Sequence, residues 1–301
     1  MPAGADSWYS EYKDAILGRT TDISKARQIV QKHFPKSLFR YGSFDSNAYW
    51  EDVVLNSKLH VSTPYSFNDP FDCELSFTKD ALLNEECKAT TIKYLRKGFH
   101  IKEYDANRIR LTTDLWKDIS IVVGHYGAKV DQEKANISGM LNGLDDLFKK
   151  RIGIICFSER PDSILMWSHY ANYHTGFCVE LDMTQPSGFR DCIYPVIYQE
   201  ARNNLTSAFL QRNKHWAAMA AICKSSEWSY EREWRCVMYL RQDLSAVSPF
   251  FISVPGLIKS IYLGVKVDKQ IENKIVNSLD VPIFKMEMAN DSYSLIPKRI
   301  N

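Results

Sequence analysis

The 301-residue chain contains no apolar run of the roughly 18 residues that a membrane-spanning helix needs, which predicts no transmembrane segment and no membrane partner. Neither sign of charge is in excess: 38 Lys and Arg stand against 36 Asp and Glu, a formal net charge of +2. That balance argues against a protein that coats nucleic acid electrostatically and leaves room only for a local basic groove. The stretch MPAGADSWYSEYKD has no basic segment followed by an apolar one, so no signal peptide is expected. The cysteines Cys73, Cys87, Cys156, Cys178, Cys192, Cys223 and Cys236 include no C-x-x-C pair. An odd, scattered set fits a reducing cytoplasm better than a disulfide framework. Several lie within apolar runs, where a free thiol is ordinarily a small buried hydrophobe. There is no Walker loop, G-x-G-x-x-G, H-E-x-x-H, G-x-S-x-G or zinc-type Cys/His cluster. These absences disfavour P-loop NTPases, Rossmann dehydrogenases, zincins and α/β-hydrolases. No internal repeat, low-complexity tract or splitting linker is visible.

What is present is ordinary for a globular chain: 45% apolar and 25% charged residues, which excludes disorder. The length suits one large domain or two small ones. Aromatic residues reach 13%, enough to suggest a stacking pocket without placing it.

Periodicity predicts N-terminal helices within residues 1–36, with apolar positions at helical spacing between 7 and 34. A strand follows at SLFRYGS (37–43), then a helix in DSNAYWEDVVLN with Asp45 or Ser46 as its N-cap, then a strand at KLHVSTP (58–64). Residues 80–150 are charged, helix-periodic and poor in strand signal, and read as a helical insertion. Strands resume at 153–159, 176–182, 194–199, 233–240, 249–255, 259–265 and 282–288. Helices are expected at 163–173, roughly 200–226 and 267–279. Strands and helices do not alternate strictly, so the expected class is α+β, a mixed and largely antiparallel sheet with flanking helices. The core domain is expected over 37–79 and 151–301.

Four clusters carry the polar chemistry. In LFRYGSF, Arg40 and Tyr41 sit on an apolar strand; a buried Arg calls for an anionic ligand or a structural carboxylate. In HVSTPYSFNDPFD, Ser62 and Thr63 end a strand and Asn68, Asp69 and Asp72 surround Pro70, either walling a pocket or building an Asx turn. In CFSERPDSILMWSHYANYHTGF, His169 and His174 are five apart, off one helical face, which disfavours a two-His metal site. Trp167 and Tyr170 there are either core or flat faces for a planar ring. In EWSYEREWRCVMYL, Glu231 and Glu233 are two apart at the entrance of a strand, so their side chains point the same way if the strand has begun there. Two adjacent carboxylates raise one another's proton affinity and suit sugar hydroxyls or developing positive charge; alternatively they pair with Arg232, Arg235 or Arg40.

These segments together resemble a bacterial domain family of unknown function, through LFRYGSF, FNDPFD, MWSHYA-x-x-H-x-GF and W-x-YE-x-EWR. More distantly, the order Arg40, then Ser62-Thr63-Pro64, then Glu231-Arg232-Glu233 resembles the ADP-ribosyltransferases, with S-T-P in place of S-T-S and about 170 residues between the second and third elements. That likeness implies an enzyme consuming NAD as substrate, by ADP-ribosyl transfer to a macromolecular acceptor or by hydrolysis, and the setting of a toxin or defence effector. It assigns Arg40 to the pyrophosphate or adenosine ribose, Ser62 and Thr63 to the nicotinamide site, Tyr41, Trp167 or Tyr170 to stacking, Glu233 to the ribose and Glu231 to the acceptor nucleophile, with no metal. Two other readings stand beside it. One is a non-catalytic module that binds a small molecule or protein. The other is a metal-dependent nuclease using Asp69, Asp72, Glu74, Glu180 and Asp182.

Overall fold

The computed structural model describes residues 7–18, 22–45, 49–74, 85–127, 149–185, 188–202, 216–240 and 249–301. Two helices open the chain, α1 (Ser7–Leu17) and α2 (Ile23–His33), the second capped by the Asp22 side chain, which accepts from the Lys25 N–H. Tyr12 and Ile16 of α1 are fully buried, and the Tyr12 hydroxyl donates to the Pro195 carbonyl, so this pair packs on the sheet.

The core is one eight-stranded sheet. Its strands are β1 (Ser37–Gly42), β3 (Ile152–Ser158), β4 (Phe177–Asp182), β5 (Ile193–Pro195), β8 (Glu233–Tyr239), β10 (Ile258–Leu263), β11 (Ile283–Met288) and β12 (Leu295–Arg299). The order across it is β12-β11-β10-β4-β1-β3-β8-β5, and β10–β11 is its parallel pair. The α+β class and the largely antiparallel sheet therefore stand as the sequence predicts. β3 and β4 are almost wholly buried, as their near-continuous apolar runs require. Two small sheets flank the large one: β2 (Lys58–Val61) with β9 (Phe250–Ser253), antiparallel, and β6 (Ile197–Gln199) with β7 (Cys223–Ser225), parallel. A bridge from Ser62 to Ile154 ties the end of β2 to β3.

Several boundaries differ from the sequence expectation. YPVIYQ is two strands rather than one. Pro195 has no N–H for a ladder, the Val196 N–H makes the last bond to β8 at the Glu233 carbonyl, and the Ile197 N–H turns to the Ile222 carbonyl, so the chain leaves the large sheet there. Helix α3 (Trp50–Val54) begins after Tyr49, which is left-handed at φ 50°; Asp45 is not its cap, and Ser46 lies outside the described residues. The helix expected over 200–226 is described only as α8 (Trp216–Ala221), after which β7 and a 3₁₀ turn (Ser226–Glu231) follow; residues 203–215 lie outside the described residues. Of the segment 80–150, the described part is α4 (Glu85–Phe99), α5 (Glu103–Arg110) and α6 (Leu115–His125), which share an apolar cluster of their own including Leu95, Ile109 and Val122. Helix α9 (Lys269–Ser278) precedes β11.

Helix α7 (Ile164–Tyr170) is shorter than the expected 163–173. Ser163 caps its start, and Asn172, Tyr173 and His174 all take positive φ. The chain reverses there and enters β4 through Gly176, where a Cβ would stand 2.2 Å from the Gly42 carbonyl oxygen. The turn is held from the far side of the chain: Gly264 N–H donates to the Gly176 carbonyl and Lys266 N–H to that of His174. Among the described residues no helix is long and apolar enough to cross a membrane.

Candidate functional site

The sheet brings together segments far apart in sequence. β1, β3 and β8 are neighbours, the 62–72 segment runs from the bridge at Ser62, and α7 packs on β1. They enclose a cavity of about 380 Å³, within the usual range of small-molecule sites. Its polar lining includes Arg40, Tyr41, Ser62, Ser66 and Asn68 together with Asp72, Cys156, Tyr170, Lys224, Glu231, Glu233 and Arg235.

The acidic pair arises from a kink. Glu231 ends the 3₁₀ turn, Arg232 is left-handed at φ 46°, and β8 starts at Glu233. The Ser158 hydroxyl donates to the Glu231 carbonyl, and the Tyr198 hydroxyl accepts the Glu233 N–H. Both carboxylates are buried. Glu233 accepts from Arg235 through Nε at 2.8 Å and Nη2 at 2.9 Å, and from Lys224 Nζ at 3.2 Å. Arg235 also grips Asp72 with both terminal nitrogens, at 2.7 and 2.6 Å, and donates to the Ala221 carbonyl. The ring of Phe67 lies 5.3 Å from that guanidinium. Glu231 accepts from Lys224 at 2.6 Å and from the Tyr170 hydroxyl at 2.6 Å.

This geometry drives the two carboxylates apart. Burial, then the charge of Glu233, pushes the proton affinity of Glu231 up to about 7, with Lys224 and Tyr170 opposing. Burial works against ionising Glu233 too, but Arg235 and then Lys224 overcome it and hold Glu233 well below the usual carboxylate range. Two carboxyls of divergent affinity in one cavity are the arrangement in which one remains a fixed charge and the other moves a proton near neutrality. Arg40 is different. Its terminal nitrogens donate at 3.2 Å to the carbonyls of Cys156 and His60, burial lowers its proton affinity, and no carboxylate among the described residues forms an ion pair with it. A guanidinium lining a cavity without such a partner is a ready anion site.

The sequence candidates separate accordingly. Arg40, Tyr41, Ser62, Tyr170, Glu231 and Glu233 line the cavity. Thr63 is not among its lining residues; its carbonyl accepts from the Ser66 N–H and hydroxyl in the turn that follows β2. Trp167 is not either: it is wholly buried, donates through Nε1 to the Pro161 carbonyl, and meets the Tyr41 ring edge-on, so it is core that shapes the wall from behind. The Tyr41 hydroxyl donates to the Arg160 carbonyl. Asp69 makes an Asx turn by accepting from the Phe71 N–H.

The acidic residues considered for a metal are scattered in their bonding. Asp72 is clamped by Arg235. Glu74 is paired with Lys149. Glu180 accepts from Ser37, Lys259, Ser260 and Tyr262, and Asp182 from Thr184. Among the described residues no group of three metal-ligating side chains is placed to hold an ion.

Sequence reasoning missed Lys224. It lies in WAAMAAICKSS, which reads as helix, and only its pairing opposite Tyr198 brings its ammonium to the carboxylates.

Residues 166–236 match a family described as a protein of unknown function (DUF2971), a span that runs from α7 to the middle of β8. No curated protein and no solved structure matches the chain.

Proposed function

We propose that this cavity is the active site of an enzyme that consumes NAD, breaking the nicotinamide–ribose bond by ADP-ribosyl transfer or by hydrolysis. The observation that carries the reading is that Arg40, Ser62, Glu231 and Glu233, from three distant stretches of sequence, line one cavity. In the reaction, the bond between ribose C1′ and the pyridinium nitrogen breaks and its electron pair stays with nicotinamide, which leaves neutral. Positive charge develops on the ribose. Glu233, held ionised, faces that charge and accepts from ribose hydroxyls, as carboxylates do in glycoside cleavage. Glu231, with a proton affinity near neutrality, takes the proton from the water or acceptor hydroxyl that attacks C1′. Arg40 holds a phosphate or ribose oxygen pair. Tyr41 and Tyr170, both on the cavity wall, offer ring faces to nicotinamide.

The test is to incubate the pure protein with NAD, alone and with cell lysate as acceptor, and to follow nicotinamide release by chromatography. Release is expected, with E233Q reducing it by about 100-fold or more. No nicotinamide with any acceptor overturns the reading. A second reading has an observation of its own: both oxygens of Glu233 are already taken by Arg235 and Lys224, as in a purely structural ion pair. A non-catalytic binding module then predicts that E233Q changes stability or ligand affinity with no turnover to lose.

A further inference from the structure

Lys224 has a place in this site that is separable from that of its neighbour Arg235. It is the middle residue of the three-residue β7, and its side chain reaches across to the start of β8. The ammonium touches Glu231 at 2.6 Å and Glu233 at 3.2 Å, stands 3.5 Å from Asp72, and is backed by the Trp228 ring at 4.9 Å. Arg235 already makes two hydrogen bonds each to Asp72 and Glu233. Among the described residues, the Glu231 carboxylate is bonded by Lys224 and by the neutral Tyr170 hydroxyl. The two cations thus divide the three carboxylates: Arg235 joins the 67–72 turn to β8, and Lys224 is the charge that serves Glu231.

We propose that Lys224 is a positioning residue that keeps Glu231 ionised and directed into the cavity, ready to accept a proton. This rests on the reading of Glu231 as the base in nicotinamide displacement. The titratable and charged groups around Glu231 are Glu233 and Arg235 from β8, Lys224 from β7, Tyr198 from β6, Tyr230 from the 3₁₀ turn, Cys156 from β3, His169 and Tyr170 from α7, Asp72 from the turn after β2, and Arg40 from β1. With Lys224 present, Asp72, Glu231 and Glu233 face Lys224 and Arg235, a sum of −1. Without it three carboxylates face one guanidinium, a sum of −2. Glu231, the one that Arg235 does not bond, is the carboxylate that takes up a proton in response.

The experiment uses the full chain carrying ¹³C-labelled glutamate, with E231Q identifying the Glu231 signal. In K224M the Glu231 titration moves upward by about one pH unit or more, and in K224R, which keeps the charge, it stays within about half a unit of the parent. The acid limb of the pH profile for nicotinamide release moves by the same amount in K224M, while a merely structural defect lowers the plateau without moving the limb. K224Q, which retains a hydrogen-bond donor, replaces K224M if that variant does not fold. An unmoved Glu231 titration overturns the role of Lys224 whether or not NAD is consumed. Absence of nicotinamide release from the parent protein overturns the enzymatic reading alone, because the titration is read without substrate.

Discussion

Arg235 shows how much of this protein rests on single side chains. It is fully buried and reaches Asp72, Glu233 and a main-chain carbonyl at once. Replacing it with Met strands two carboxylates against Lys224. Removing one member of such a buried set costs about 3–5 kcal/mol. Denaturant unfolding of R235M at neutral pH is expected to show that loss, and R235M/D72N is expected to regain part of it by removing one stranded charge. At this scale the sequence was partly legible. The spacing of Glu231 and Glu233 marks them as a pair, and Arg235, two residues further on, is within reach as a partner. Trp167 could not be told from a ligand platform, because an aromatic residue on a short helix reads alike whether it faces a cavity or the core. Lys224 was invisible because its meaning depends on a strand of three residues, too short to show any period.

At the scale of elements, long strands were readable and irregular joints were not. β3, β4 and β8 announce themselves by apolar runs, whereas the break at Pro195–Val196 and the three positive φ values at Asn172–His174 follow from tertiary contacts. The joint between α7 and β4 is the most constrained of these. At Gly176 a methyl group would stand 2.2 Å from the Gly42 carbonyl oxygen and 2.9 Å from that of Ala171, both main-chain atoms with no freedom to step aside. G176A is expected to lower stability by about 3 kcal/mol and to displace α7, which carries Tyr170. Its thermal midpoint should fall, and the hydrogen-exchange protection of residues 177–182 should fall with it.

For the whole molecule, the two carboxylates impose a characteristic dependence of stability on pH. Glu231 is raised from 4.5 to about 7 in the folded state, so between those values the folded chain holds a proton that the unfolded chain has released. Stability therefore falls as pH rises across that window. Glu233 has the opposite sign: its lowered affinity stabilises the fold above the ordinary carboxylate range and is lost as pH drops below it. In E231Q the decline between pH 5 and pH 7 should be reduced, so that the variant gains on the parent as neutrality is approached, measured by urea unfolding at pH steps. Parallel curves for the two proteins would contradict the raised affinity. The α+β class was legible at this scale from the mix of strand and helix signals, but the order of eight strands was not, since neighbours such as β1 and β4 are more than a hundred residues apart.

The backbone clasp from Gly264 and Lys266 onto residues 174–176 gives the chain a temporal order. Every residue named on the cavity wall has been synthesised once Arg235 emerges from the ribosome. β4 nevertheless waits with one edge bare until residues 258–263 arrive to pair with it. A nascent polypeptide halted between those two points carries every lining side chain named above and lacks the strand that braces β4. The pocket therefore takes its final shape only after translation has passed well beyond the last residue that lines it.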